Sequence, residues 1–211
     1  MKKTLFISVL ISLSMLLVAF NNRSFLFPKE RIIKNFTLKN TDNTKISLDS
    51  YKDAKGFVIV FTCNKCPMAK LYSDRLNKIS EKYKKQNIYL LAINSMDTLA
   101  YAEESFQLMQ KKAKKEHFSF PYLQDKKQTV AKQFRATHTP QAFVIWKDLK
   151  QHWVIRYEGA IDTNAGEPSK AKPQLTIAVD ELLMGKEVSL PKTESFGCKI
   201  YYRGQKEKMN K

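Results

Sequence analysis

Five consecutive apolar residues, Phe57-Val58-Ile59-Val60-Phe61, form the most decided pattern in the chain. A continuous run this short suits a central strand buried on both faces and does not suit an amphipathic helix. Ile88 to Ile93 predicts a second strand of the same kind. Between them Met68, Tyr72, Leu76, Ile79 and Tyr83 recur at steps of three and four, one face of a helix opened by Pro67 in its first turn. Leu99, Ala102, Phe106, Met109 and Ala113 predict a second helical stripe, and a short third helix is expected around Val130 to Phe134. Near the start, Ile33 to Leu38 and Lys45 to Leu48 flank the turn-like Asn40-Thr41-Asp42-Asn43 and predict a β-hairpin. Ala142 to Trp146 and Trp153 to Tyr157, joined by a polar link, predict another hairpin. Leu175, Val179, Leu182 and Leu183 mark a last helix ending near Gly185, after an exposed loop over Thr163 to Pro173. Strands and helices in this alternation predict an α/β domain with helices covering a central mixed sheet.

The two ends read differently. Lys2 and Lys3 precede an almost unbroken apolar stretch from Thr4 to Phe20, with no charge before Arg23. Residues 1–22 are therefore expected to be a signal peptide or an N-terminal membrane anchor, and the protein to be exported and extracytoplasmic, in a periplasm or anchored facing it. Leu16 to Phe20 offers no small-x-small cleavage site, so both readings of the leader stay open. Residues 30–188 are expected to form one domain and residues 189–211 a basic tail containing Cys198. The 37 Lys and Arg against 20 Asp and Glu give a net charge of +17, which attracts anionic surfaces. The lysines are spread through every segment and no nucleic-acid module is recognisable, so the excess reads as a solvated surface without a nucleic-acid partner.

The candidate chemistry lies at Cys63-Asn64-Lys65-Cys66. Thiol–disulfide exchange needs two cysteines within bonding reach, one to attack and one to release the mixed disulfide. A C-x-x-C pair between a buried strand and a Pro-initiated helix meets both needs, because the helix start turns unpaired N–H groups toward a sulfur and favours its thiolate. On spacing alone Cys63 is the expected nucleophile and Cys66 the resolving thiol, with Lys65 adding positive charge. An isolated C-x-x-C is also compatible with a structural staple or half a metal site, but His117, His138 and His152 form no ligand-like cluster with it, so neither a metal nor an organic cofactor is expected.

Phe61-Thr62-Cys63-Asn64-Lys65-Cys66-Pro67, followed by Thr139-Pro140 just before a strand, resembles the thioredoxin-like superfamily, in particular its redoxin (AhpC/TSA-related) branch. The resemblance runs by order of elements over roughly Ile33 to Gly185. It implies a thioredoxin-like fold with an N-terminal β-hairpin extension, and a cis Pro140 lying against the cysteines, with Thr139 open to an extended substrate segment. It further implies catalytic Cys63, Cys66 and Pro140, protein thiols or disulfides as partners, and an upstream electron donor or acceptor. A peroxiredoxin-like peroxidase is the first alternative, yet the family's Pro and Thr, seven and three places before the peroxidatic Cys, are Gly56 and Val60 for Cys63, or Ile59 and Cys63 for Cys66. The second is a binding protein that keeps the fold around a structural disulfide or a soft-metal site. Copper-delivery relatives carry a pair one residue wider. Thr193 to Cys198 resembles the Gly-Cys tail of some redoxin-like proteins, where Cys198 is either a remote resolving thiol or a spare one.

Overall fold

The computed structural model describes residues 30–204. The expected leader at residues 1–22, and with it the membrane association expected through that segment, lies outside the described residues. Among the described residues no helix is long and apolar enough to cross a membrane.

In chain order the elements are β1 (Ile32–Ile33), β2 (Thr37–Asn40), β3 (Lys45–Ser47), β4 (Gly56–Thr62), α1 (Pro67–Lys70), α2 (Ser73–Lys84), β5 (Ile88–Asn94) and α3 (Phe106–Lys115). They continue with β6 (Tyr122–Gln124), α4 (Thr129–Phe134), β7 (His138–Thr139), β8 (Gln141–Lys147), β9 (Trp153–Gly159), α5 (Gln174–Leu183) and β10 (Cys198–Lys199). Eight strands form one sheet in the order β1-β9-β8-β4-β5-β6-β2-β3, and β7 pairs with β10 separately. β4 runs parallel to β5 and antiparallel to β8, β6 is parallel to β5, and β2 joins β6 antiparallel. This is a thioredoxin-like α/β fold with a mixed sheet between helices.

β4 shows why the apolar run is unbroken: all of its residues are buried, and their side chains divide between two cores. Phe57, Ile59 and Phe61 pack with α4 residues Val130, Ala131 and Phe134 on one face, together with Cys63 and Cys66. Val58 and Val60 pack on the other face with Leu76, Ile79 and Tyr83 of α2, Met109 of α3 and Leu175 and Val179 of α5. A strand that buries both faces reads as a near-continuous apolar run, here broken only by Thr62 at its end.

The structure departs from the sequence reading in a few places. The expected first helix is two pieces, because Leu71 and Tyr72 donate to Met68 and Ala69 in tighter turns. The break lets the fully buried Tyr72 reach Asp162 with its hydroxyl at 2.9 Å. The second helix starts at Phe106, after a single 3-10 turn over Ala102–Glu104, and Leu99 is 79% exposed outside it. Ile33 belongs to β1 and pairs with β9, so the first hairpin is β2–β3 alone. β6, β7 and β10 had no sequence signal. The tail runs back over the domain, with Ile200 buried and Tyr202 Oη donating to Ala136 O at 2.6 Å.

Candidate active site

Parallel neighbours β4 and β5 end together at Thr62 and Asn94, and the chain leaves β4 directly into Cys63-Asn64-Lys65. Cys66 caps α1, with Pro67 at its first position, where a missing N–H costs nothing. The loop between the cysteines is held from below by one carboxylate. Glu104, 3% exposed, accepts from the N–H of Asn64 at 2.7 Å and of Lys65 at 3.0 Å, and from Asn94 Nδ2 at 2.8 Å. Asn64 is pinned further by its Nδ2 donating to Glu103 O at 2.9 Å and by Tyr122 Oη donating to its Oδ1 at 2.9 Å.

Across from the pair, the peptide bond between Thr139 and Pro140 is cis, as the resemblance implied. Thr139 touches both sulfurs: its Oγ1 lies 3.3 Å from Cys63 Sγ, and its carbonyl accepts from the Cys66 thiol at 3.2 Å. Cys63, Cys66 and Cys198 are all free thiols, and the first two are 1% and 4% exposed. The fold thus brings Thr139, and with it its cis bond to Pro140, against Cys63 and Cys66, 76 and 73 residues away in sequence.

The electrostatics give the two cysteines opposite tendencies. The Cys66 thiol is pulled below the ordinary thiol range by the Cys63 thiol that donates to it, and further by the Cys198 thiol and the N–H groups of Ala69 and Cys198, against the cost of burial. Cys63 is pushed up by the neighbouring Cys66, by burial and by the Glu104 carboxylate. The amides of Asn64 and Lys65, which spacing alone would direct toward the first sulfur, are spent on Glu104. The pair thus leans toward a lowered Cys66 and a raised Cys63, where spacing alone leads to Cys63 as the nucleophile. A group with a depressed folded-state pKa contributes stability above its unfolded value and loses it as pH falls through the folded value. The expected result is a 240 nm thiolate absorbance that persists well below about pH 8.5 and is lost in Cys66→Ser. The Cys66 contribution to stability is expected to be present above that range and to fade as the absorbance does on acidification.

The side chains of Lys65 and His138 bond to groups outside the cysteine pair. Lys65 is 70% exposed in its side chain and pairs with Glu103 at 3.1 Å, and the His138 ring bonds Thr137 Oγ1 at 2.9 Å. His152 sits in the turn after β8, beside Asp148. Sequence reasoning missed Glu104, Asn94, Tyr122 and the Thr139 hydroxyl. Glu104 gave no signal, because it lies off the apolar stripe of a stretch that read as one helix.

The profile of the AhpC/TSA family matches residues 30–163. Among solved structures, a hypothetical protein from Sinorhizobium meliloti 1021 is 30% identical with a TM-score of 0.74, covering 83% of this chain and 95% of its own. An uncharacterised conserved protein from Geobacillus kaustophilus is 31% identical, also at 0.74, covering 86% of this chain and 96% of its own. A Chlorobium tepidum protein named among the thiol:disulfide interchange proteins shares the fold at 14% identity and a TM-score of 0.54, covering 74% of this chain and 96% of its own. No curated protein matches the sequence at a significant level.

Proposed function

The chain belongs to the AhpC/TSA family, and from that premise we propose that it is a thiol–disulfide oxidoreductase exchanging electrons with protein dithiols and disulfides through Cys63 and Cys66. The observation that carries the reading is the asymmetric pair at the end of β4, two buried sulfurs that both meet Thr139 and lean to opposite protonation states. Pro140 is the residue that sets Thr139 against them. The apolar leader supports an extracytoplasmic place of action, with residues 30–188 as the redox domain.

The asymmetry orders the steps. The Cys66 thiolate attacks one sulfur of a substrate disulfide; a bond forms to Cys66, and the other substrate sulfur leaves with the electron pair and takes a proton. Cys66 then carries no charge, and the largest influence holding the proton on Cys63 is gone. Cys63 loses its proton and attacks Cys66 Sγ, which releases the second substrate thiol and leaves the Cys63–Cys66 disulfide. An electron donor restores the dithiol, and with an oxidising partner the same steps run in reverse.

The test is the reduction potential of the couple, measured in the full chain by equilibration with glutathione buffers and thiol trapping, with Cys198→Ser alongside. A value between about −120 and −270 mV is expected, the span of catalytic dithiols, and one below about −300 mV would leave a structural staple in place of an exchanging pair. Rapid loss of both thiols to stoichiometric hydrogen peroxide, without exchange with a protein disulfide, would assign a peroxidase instead.

A further inference from the structure

The edge beside the cis-proline segment is covered by the chain itself. β7 and β10 pair antiparallel, with Cys198 opposite Thr139 and Lys199 opposite His138. A free strand edge offers unpaired N–H and C=O groups to any extended segment, and here the tail takes them. Its hold is extensive: Ile200 N–H donates to Thr137 O at 2.8 Å, and Ile200 is 5% exposed. Gln128 donates its Nε2 to Tyr201 O at 2.9 Å and accepts from Arg203 N–H at 2.7 Å, while Arg203 pairs with Asp97 at 2.7 Å.

The approach to the site is closer still. Gly197 has φ +137, and a Cβ placed on it would lie 2.3 Å from Thr139 O and 3.3 Å from Pro140 Cδ. Only glycine lets the backbone pass there. The next residue, Cys198, packs against the cluster that holds Cys63 and Cys66, and its carbonyl accepts from Thr139 Oγ1 at 3.4 Å. Thr139 is thereby shared between Cys66, whose Sγ lies 3.2 Å from its carbonyl oxygen, and the tail, which pairs with it. A substrate strand that paired with Thr139 and presented a cysteine to Cys66 would occupy the place that Cys198 holds.

We propose that Cys198 is a third redox-active cysteine, carried on a tail strand that mimics a docked substrate segment, and that it is a second resolving thiol, besides Cys63, for the mixed disulfide formed on Cys66. The proposal rests on the reading that Cys66 makes the first attack. A substrate segment displaces β10 from β7, and Cys66 captures one substrate sulfur. When the tail returns, Cys198 loses its proton and attacks Cys66 Sγ; the Cys66–substrate bond breaks, and the substrate sulfur leaves with the electron pair and takes up a proton. The products are a Cys66–Cys198 disulfide and a released substrate thiol, with two electrons passed from the protein to the substrate. The return of the strand and the release of substrate are then one event, because both segments claim the same edge.

The test removes the competing resolver. Full-chain Cys63→Ser is reacted with 5,5′-dithiobis(2-nitrobenzoate), a small symmetrical disulfide. The expected result is release of one thionitrobenzoate by Cys66, then a second at a rate independent of reagent concentration, and a product in which the Cys66 and Cys198 peptides are joined. Cys63→Ser/Cys198→Ser should stop at one release with a stable adduct on Cys66. Separate adducts on Cys66 and Cys198 in Cys63→Ser would overturn this proposal and leave the dithiol reading intact. An unreactive Cys66 in Cys63→Ser, with wild type reacting at Cys63, would overturn the attack order and this proposal together. Should Cys63→Ser fail to fold, Cys63→Ala is treated in the same way: a Cys66–Cys198 cross-link supports the proposal, and separate adducts on the two cysteines overturn it.

Discussion

Cys66→Ser is expected to lower the rate of protein-disulfide reduction by about 10³-fold or more, and to abolish capture of a mixed disulfide altogether. Cys63→Ser is expected to lose steady turnover through the Cys63–Cys66 couple while keeping the first attack, so that a covalent adduct accumulates on Cys66 when Cys198 is also replaced. The difference follows from where the hydrogen bonds go. Glu104 takes the two loop amides and sets a buried negative charge near Cys63, while Cys66 keeps donors from three directions, namely the Cys63 thiol, the start of α1 and the tail, which oppose the pull of the Thr139 carbonyl toward the protonated thiol. The measurement is single-turnover release of thiol from a disulfide reagent, read separately for each variant. A Cys66→Ser protein that still captured substrate on Cys63 would restore the order expected from spacing. Glu104 would then be a structural support of the loop with no part in ordering the two thiols.

Elements whose stability comes from their own pattern were legible in the sequence. β4 is a run of apolar residues because both its faces are covered, and α2 shows its stripe because one face meets the sheet. β6, β7 and β10 are two or three residues long, too short for any periodicity, and exist because a partner strand is already in place. The cysteine pair and the cis Thr139–Pro140 bond were readable because their residue types are rare and their order is distinctive. The polarity of the pair was not, because it depends on a carboxylate 38 residues beyond Cys66 that the 3-10 turn at Ala102–Glu104 turns inward. Leu99 shows the converse error: it continues the spacing of the stripe, but the helix begins only at Phe106, and nothing brings that side chain to the core. Cys198 was visible as a thiol in a tail, with both of its readings open, since a segment that docks by backbone pairing carries little of its destination in its side chains.

Phe134→Ala is expected to cost about 3–5 kcal/mol of stability, the range for removing a fully buried aromatic ring. Phe134 has no exposed surface and meets three rings edge-on, Phe143 at 5.1 Å, Phe61 at 5.5 Å and Phe36 at 6.4 Å between centroids. This cluster lies on the same face of the sheet as the cysteines and joins the strand that delivers Cys63 to the helix that precedes β7. Its backbone is also held, since Arg31 Nη1 donates to Phe134 O at 3.1 Å, so the helix end is not free to slide inward and fill the space. A cavity is therefore the expected outcome, with little collapse, which places the loss toward the upper part of the range. For a domain of this size the melting temperature should fall by roughly 6–20 °C, measured by calorimetry on the reduced chain. The low-pH thiolate signal of Cys66 should survive in the folded fraction, because its donors come from the loop, α1 and the tail and none from the ring. A variant that melted within about 2 °C of the wild type would show that Phe36, Phe61 and Phe143 repack without it. If stability fell as expected but the thiolate signal vanished with it at temperatures where the chain is still folded, the aromatic cluster would be setting the position of Thr139 as well as supporting the core.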